Sequence, residues 1–175
     1  MRSFRYLAAI AACLSSFGCN VSTVQPLHSP DAAIYDPGLV GTWSMENGAV
    51  SLSISREENG YAIVVKSRDQ SASYSAKLLE LGGQRFCDCR STKPTGPDAV
   101  PVHHVFRVTI DQDELRVGIA EPSNVKTALA KDPARAEYVT NEGRFVLTGS
   151  TAEVQTFFRE CGRDIFMKEL KFRRR

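Results

Sequence analysis

The densest grouping of ligating and nucleophilic side chains in the sequence is Cys87-x-Cys89, followed by His103-His104. Zinc sites space their cysteines as Cys-x(2–4)-Cys, so that two thiolates can turn onto one ion. Cys-x-Cys on a strand is expected to spread its thiols apart, and adjacent histidines on a strand point to opposite faces. No metal is therefore expected. A Cys–His nucleophile pair would also need an orienting acid and an oxyanion hole, and nothing supplies either. His103 or His104 with Asp88 is the best grouping for an enzyme, provided that it converges inside a cavity. Asp111, Asp113 and Glu114 cluster where acids suit a hairpin turn, with too few oxygens for calcium, and Glu57-Glu58 reads in the same way. There is no Gly-x-Ser-x-Gly, phosphate loop, dinucleotide fingerprint or His-Glu-x-x-His. The expectation is a non-enzyme without cofactor or metal.

The chain of 175 residues suits one domain, and 42% hydrophobic with 24% charged residues suits a packed core. The net charge of +2 is set by the first 18 residues, which hold two Arg and no acid. Without them Lys and Arg fall from 22 to 20, against 20 acids. That balance argues against nucleic acid as the main partner, which needs a basic surface.

Arg2 and Arg5 precede an uncharged apolar run from Tyr6 to Ala12, the n- and h-regions of a secretory signal. Even extended to Phe17 the run falls short of the roughly 20 residues that span a bilayer. Its end, Leu14-Ser15-Ser16-Phe17-Gly18-Cys19-Asn20, resembles the lipobox of bacterial lipoproteins. That resemblance implies cleavage after residue 18 and diacylation of Cys19, with Cys13, after Ile10-Ala11-Ala12, as the alternative. Two or more chains, at about 0.8 kcal/mol per buried methylene, give stable anchoring. Asn20 in place of an acid implies the outer rather than the inner membrane. Residues 19–38, with Pro26, Pro30 and Pro37, read as a tether reaching on the order of 25 Å.

Export implies an oxidising compartment, where Cys87, Cys89 and Cys161 become disulfide candidates. A bridge from Cys87 or Cys89 to Cys161 would close a loop of about 70 residues or more, worth about 4 kcal/mol in chain entropy. Three buried thiols are the competing reading.

From residue 39 onward the pattern is that of linked strands. Val50, Leu52 and Ile54 alternate with Ser51, Ser53 and Ser55; Phe106, Val108 and Ile110 alternate with Arg107 and Thr109. Asn47-Gly48, Asn59-Gly60, Gly82-Gly83, Asp111-Gln112-Asp113 and Asn141-Glu142-Gly143 mark the turns. Strands are expected near 39–46, 49–56, 61–67, 72–81, 84–90, 101–110, 114–119, 136–140, 144–148 and 165–172. Two helices interrupt them: 122–131, opened by Pro122 with Val125 and Leu129 on one face, and 150–161. In the second, Ser150 and Glu153 form a capping box ahead of the stripe Val154, Phe157, Phe158 and Cys161. The stripe is expected to pack as a lid on the sheet. The fold class is mainly β: an antiparallel meander forming a barrel or a strongly curled sheet over 39–175.

Gly41-Thr42-Trp43, after an irregular segment, is similar to the Gly-x-Trp motif opening the first strand of lipocalins and related calycins. The resemblance implies a lipocalin-like barrel with Gly41 and Trp43 at its closed end and a late helix packed outside. It also resembles uncharacterised bacterial lipoproteins in which such a strand follows a tether. The expected function is non-catalytic binding of a lipid-like or small apolar ligand at the cell envelope. The competing expectation is an envelope protein-interaction or assembly factor with a solid core. The basic end Lys171-Phe172-Arg173-Arg174-Arg175 reads as the solvated end of the last strand, with anionic headgroups as its other candidate partner.

Overall fold

The computed structural model describes residues 21–29, 32–68, 70–93, 101–132, 136–141, 144–166 and 168–175. The chain runs β1 (Val21–Thr23), a 3-10 turn (Pro37–Leu39), β2 (Gly41–Ser44), β3 (Val50–Glu57), β4 (Gly60–Ser67), β5 (Gln70–Leu81), β6 (Gln84–Ser91), β7 (His103–Asp111) and β8 (Glu114–Ile119). Helix α1 (Pro122–Lys131), β9 (Tyr138–Asn141), β10 (Arg144–Leu147), helix α2 (Thr151–Ile165) and β11 (Lys168–Arg174) follow.

Strands β2 to β8 pair in sequence, β11 pairs with β8, and β11 returns to β2. All these pairings are antiparallel, so eight strands close into a barrel and hide their edges from solvent. The meander is built as the alternation requires: Val50, Leu52 and Ile54 are buried inward, while Ser53, Ser55 and Arg56 are exposed. At Gly82-Gly83 both residues have positive φ, 57° and 71°, the backbone that a two-residue hairpin turn demands. The turn expected at Asn141-Glu142-Gly143 falls on residues 142 and 143, outside the described residues.

Residues 21–29 are not the free tether expected of them. Val21, Ser22 and Thr23 form β1, parallel to β10 and antiparallel to the first residues of β7. Strand β7 thereby has two partners along one edge, β1 at His103-His104 and β8 from Phe106 onward. The apolar Val21 and Leu27 supply the reason, since both are buried in the outer core.

The chain has two cores, one on each side of the barrel wall. The inner one includes Trp43, Tyr61, Leu78, Cys87, Cys89 and Phe172. The outer one packs Leu79 and Phe86 of the wall against α1 and α2. Helix α2 lays Val154, Phe157, Phe158, Cys161 and Ile165 on that wall, with Phe86 and Phe158 rings 5.9 Å apart. The stripe is thus a cover on the side of the barrel. Helix α2 begins with the reciprocal cap read from the sequence: Glu153 N–H donates to Ser150 Oγ, and Ser150 N–H to Glu153 Oε2. Ser150→Ala is expected to cost about 1 kcal/mol, seen as a lower urea midpoint with an unchanged slope. Among the described residues no helix is long and apolar enough to cross a membrane.

Candidate functional site

Two places combine unusual chemistry with defined geometry, and β6 carries residues for both. Alternation along Phe86-Cys87-Asp88-Cys89 sends Cys87 and Cys89 into the barrel and Phe86 and Asp88 out of it.

Inside, an apolar-lined cavity of about 70 Å³ runs between the strands. Its lining includes Leu52, Ile54, Cys87, Cys89, Val108 and Phe172. Both thiols are buried, and their Sγ atoms lie 3.5 Å apart. The expectation that Cys-x-Cys on a strand separates its thiols is overturned, because their side chains lean towards each other within the lumen. The contact with Cys87, followed by burial, pushes the Cys89 thiol well above the usual range, so it stays protonated. Burial likewise pushes Tyr74, another lining residue, up to about 12. His104, opposite Cys89 in the register, has its pKa lowered by burial and by the adjacent His103.

Cys161 lies across the wall in the outer core, and none of Cys87, Cys89 and Cys161 is joined in a disulfide. The bridge considered between Cys161 and Cys87 or Cys89 is not made. The strand turns 87 and 89 inward, whereas α2 packs on the outer face.

On the outer face Asp88 is 2% exposed and accepts three hydrogen bonds. His103 Nδ1 is 2.7 Å from Oδ1, while His28 Nδ1 and the Leu27 N–H are each 2.8 Å from Oδ2. An ionised carboxylate only accepts, so each imidazole carries its proton on Nδ1. Burial alone would raise the Asp88 pKa. The hydrogen bond and charge of His103, the bond from His28 and the Leu27 amide outweigh it, and the carboxyl sits below its ordinary value. Of the grouping read from the sequence, Asp88 with His103 or His104, it is Asp88 and His103 that the structure shows hydrogen-bonded. They meet outside the barrel, away from the cavity. What they hold is the N-terminal segment, a role with no local signal, because His28 is 60 residues from its partner.

At Gly41-Thr42-Trp43 the motif has a clear physical basis. Trp43 is fully buried and donates from Nε1 to Leu39 O at 2.9 Å, tying the 3-10 turn to the barrel core. Arg174 lies over its ring, Cζ 4.2 Å from the centroid, and donates to Val40 O and Gly38 O. Gly41 has φ +145°, and a Cβ there would come 2.6 Å from Arg174 Nη1. Arg174 is thus a clamp, where the sequence suggested a solvated end. The acids expected at a turn are there: Asp111 ends β7, Asp113 takes a 3.4 Å ion pair from Arg174, and Glu114 opens β8 between Arg116 and Arg173. The lipidation candidates Cys19 and Cys13 lie outside the described residues.

The closed eight-strand antiparallel barrel, with a late helix on its outer wall, is consistent with a lipocalin-like fold. Compared with protein-family models, with curated proteins and with solved structures, the chain gives no match.

Proposed function

We propose that the protein is a non-catalytic lipoprotein of the bacterial cell envelope, anchored through Cys19, whose barrel takes up a small apolar group. The observation that carries the reading is the apolar cavity at the centre of a closed barrel. Its size decides what enters. A dry cavity of roughly 150 Å³ holds one benzene ring, and this one is about 70 Å³. A whole lipid does not fit; the thin end of an acyl chain, or a molecule of a few carbons, does. A catalytic role is disfavoured because Asp88 and His103 face away from that space.

The test is native mass spectrometry of the detergent-solubilised chain after exposure to a lipid extract. We expect a lipid-sized mass that is lost on denaturation and absent from Val108→Phe, which narrows the cavity at a cost of about 1–3 kcal/mol. A clean unliganded mass would remove the carrier reading. The competing reading, an envelope interaction factor, draws support from β9. This short strand ends the sheet among the described residues and exposes Tyr138 and Val139, and an open edge accepts a further strand.

A further inference from the structure

Two buried thiols 3.5 Å apart on the wall of an apolar cavity form a chelate waiting for a partner of particular chemistry. The surroundings narrow that chemistry in three ways. First, among the described residues no group of three or more His, Cys, Asp or Glu could hold a metal. Ions that require three or four protein ligands, zinc among them, are therefore excluded. Second, the product must be neutral, since an uncompensated charge in an apolar lumen is costly. Two thiolates around a monovalent soft ion leave one negative charge, which disfavours cuprous and silver ions. Third, the bite matters. With bonds of about 2.3 Å, a linear two-coordinate ion such as mercuric would hold its sulfurs about 4.6 Å apart. A pyramidal centre with near-right-angled bonds of that length holds them about 3.3 Å apart, much nearer the 3.5 Å that the structure has.

We infer that Cys87 and Cys89 form a binding site for a monosubstituted trivalent arsenical, whose single small organic group occupies the cavity beside them. The exchange balances without a redox step. Two As–O bonds of R–As(OH)₂ break and two As–S bonds form. Each thiol proton leaves with a hydroxyl as water, and the product R–As(S)₂ is uncharged. The size argument extends to the organic group, because a methyl fits a cavity of about 70 Å³, whereas a phenyl ring needs roughly twice that. The site shares its cavity with the proposed carrier role but does not depend on it; failure of lipid uptake leaves the dithiol chemistry standing.

The test uses the full chain with Cys13, Cys19 and Cys161 changed to Ala, so that Cys87 and Cys89 are the remaining thiols of the five. Methylarsonous acid is titrated and the complex followed by intact-mass analysis and arsenic X-ray absorption. The expected result is one arsenic per chain with two sulfur neighbours and one carbon, removed by a dithiol but not by an equal concentration of a monothiol. The native protein should prefer methyl over phenylarsonous acid by at least about tenfold, a preference that disappears in urea. Cys87→Ser and Cys89→Ala should each weaken binding by about a hundredfold or more. One or three sulfur neighbours, equal affinity for methyl and phenyl in the folded protein, or adducts formed only after unfolding would each overturn the inference. The X-ray absorption result stands on the unsubstituted dithiol, so it decides the matter even if a single-thiol variant fails to fold.

Discussion

Replacing Trp43 with alanine is expected to lower the unfolding free energy by about 3–5 kcal/mol, the range for deleting a fully buried large aromatic side chain. Three losses combine in this one substitution. The ring fills the barrel core beside Leu39 with no exposed surface of its own. Its Nε1 donates the bond that holds the Leu39 carbonyl. It is also the platform on which Arg174 rests while that guanidinium reaches Val40 O and Gly38 O. Trp43→Phe keeps an aromatic face and should lose a good deal less. Trp43 is the sole tryptophan, so the comparison is made by far-UV circular dichroism in urea, where an alanine variant within about 1 kcal/mol of the parent would contradict this account.

The second large effect is expected at Asp88. Asp88→Asn keeps the shape but removes a buried charge that accepts from two imidazoles and a backbone amide. A loss of about 2–4 kcal/mol follows from breaking a buried, charge-assisted set of this kind. The pH dependence carries its own signature. The folded carboxyl lies below its ordinary value, so the native state favours the carboxylate more strongly than the unfolded chain does. Its contribution is complete above about pH 4, where an unfolded aspartate is ionised, and is lost as the pH falls through the lower folded value. The difference in stability between parent and Asp88→Asn should therefore narrow in acid. Urea titrations at several pH values measure it, and amide exchange at Leu27 should quicken in the variant if that segment is what the carboxylate holds.

Features legible in the sequence were those whose cause is local. The capping box of Ser150 and Glu153, the Pro122 start of α1, the alternation around Leu52 and the Gly82-Gly83 turn each carry their instruction within a few residues. Period-two alternation along β6 accounts for Cys87 and Cys89 sharing a face, but not for the lean that brings their sulfurs to 3.5 Å. What lay beyond reach depends on residues that meet only in the fold. Val21-Ser22-Thr23 looks like coil because three residues in a Pro- and Ser-rich stretch have no pattern; the free edges of β7 and β10 make them a strand. Asp88, flanked by cysteines, gives no hint of His28. Arg174 seemed part of a solvated basic end because its partner Trp43 opens the barrel at the other end of the chain. The separation of Cys161 from the two lumenal thiols required knowing that α2 covers the outside of the wall.

The parallel pairing of β1 with β10 also fixes an order of events. Val21 lies opposite Phe145, and β2 completes the barrel only against β11. Contacts this distant in sequence form slowly, because the chain between them must first be gathered. A chain made or exported from its N-terminus therefore presents β1 first and docks it late. Neither the barrel seam between β2 and β11 nor the pairing of β1 with β10 can close before the final third of the polypeptide has arrived. Until β10 has formed, Val21–Thr23 lack their parallel partner, and the finished domain then draws that stretch against its own surface.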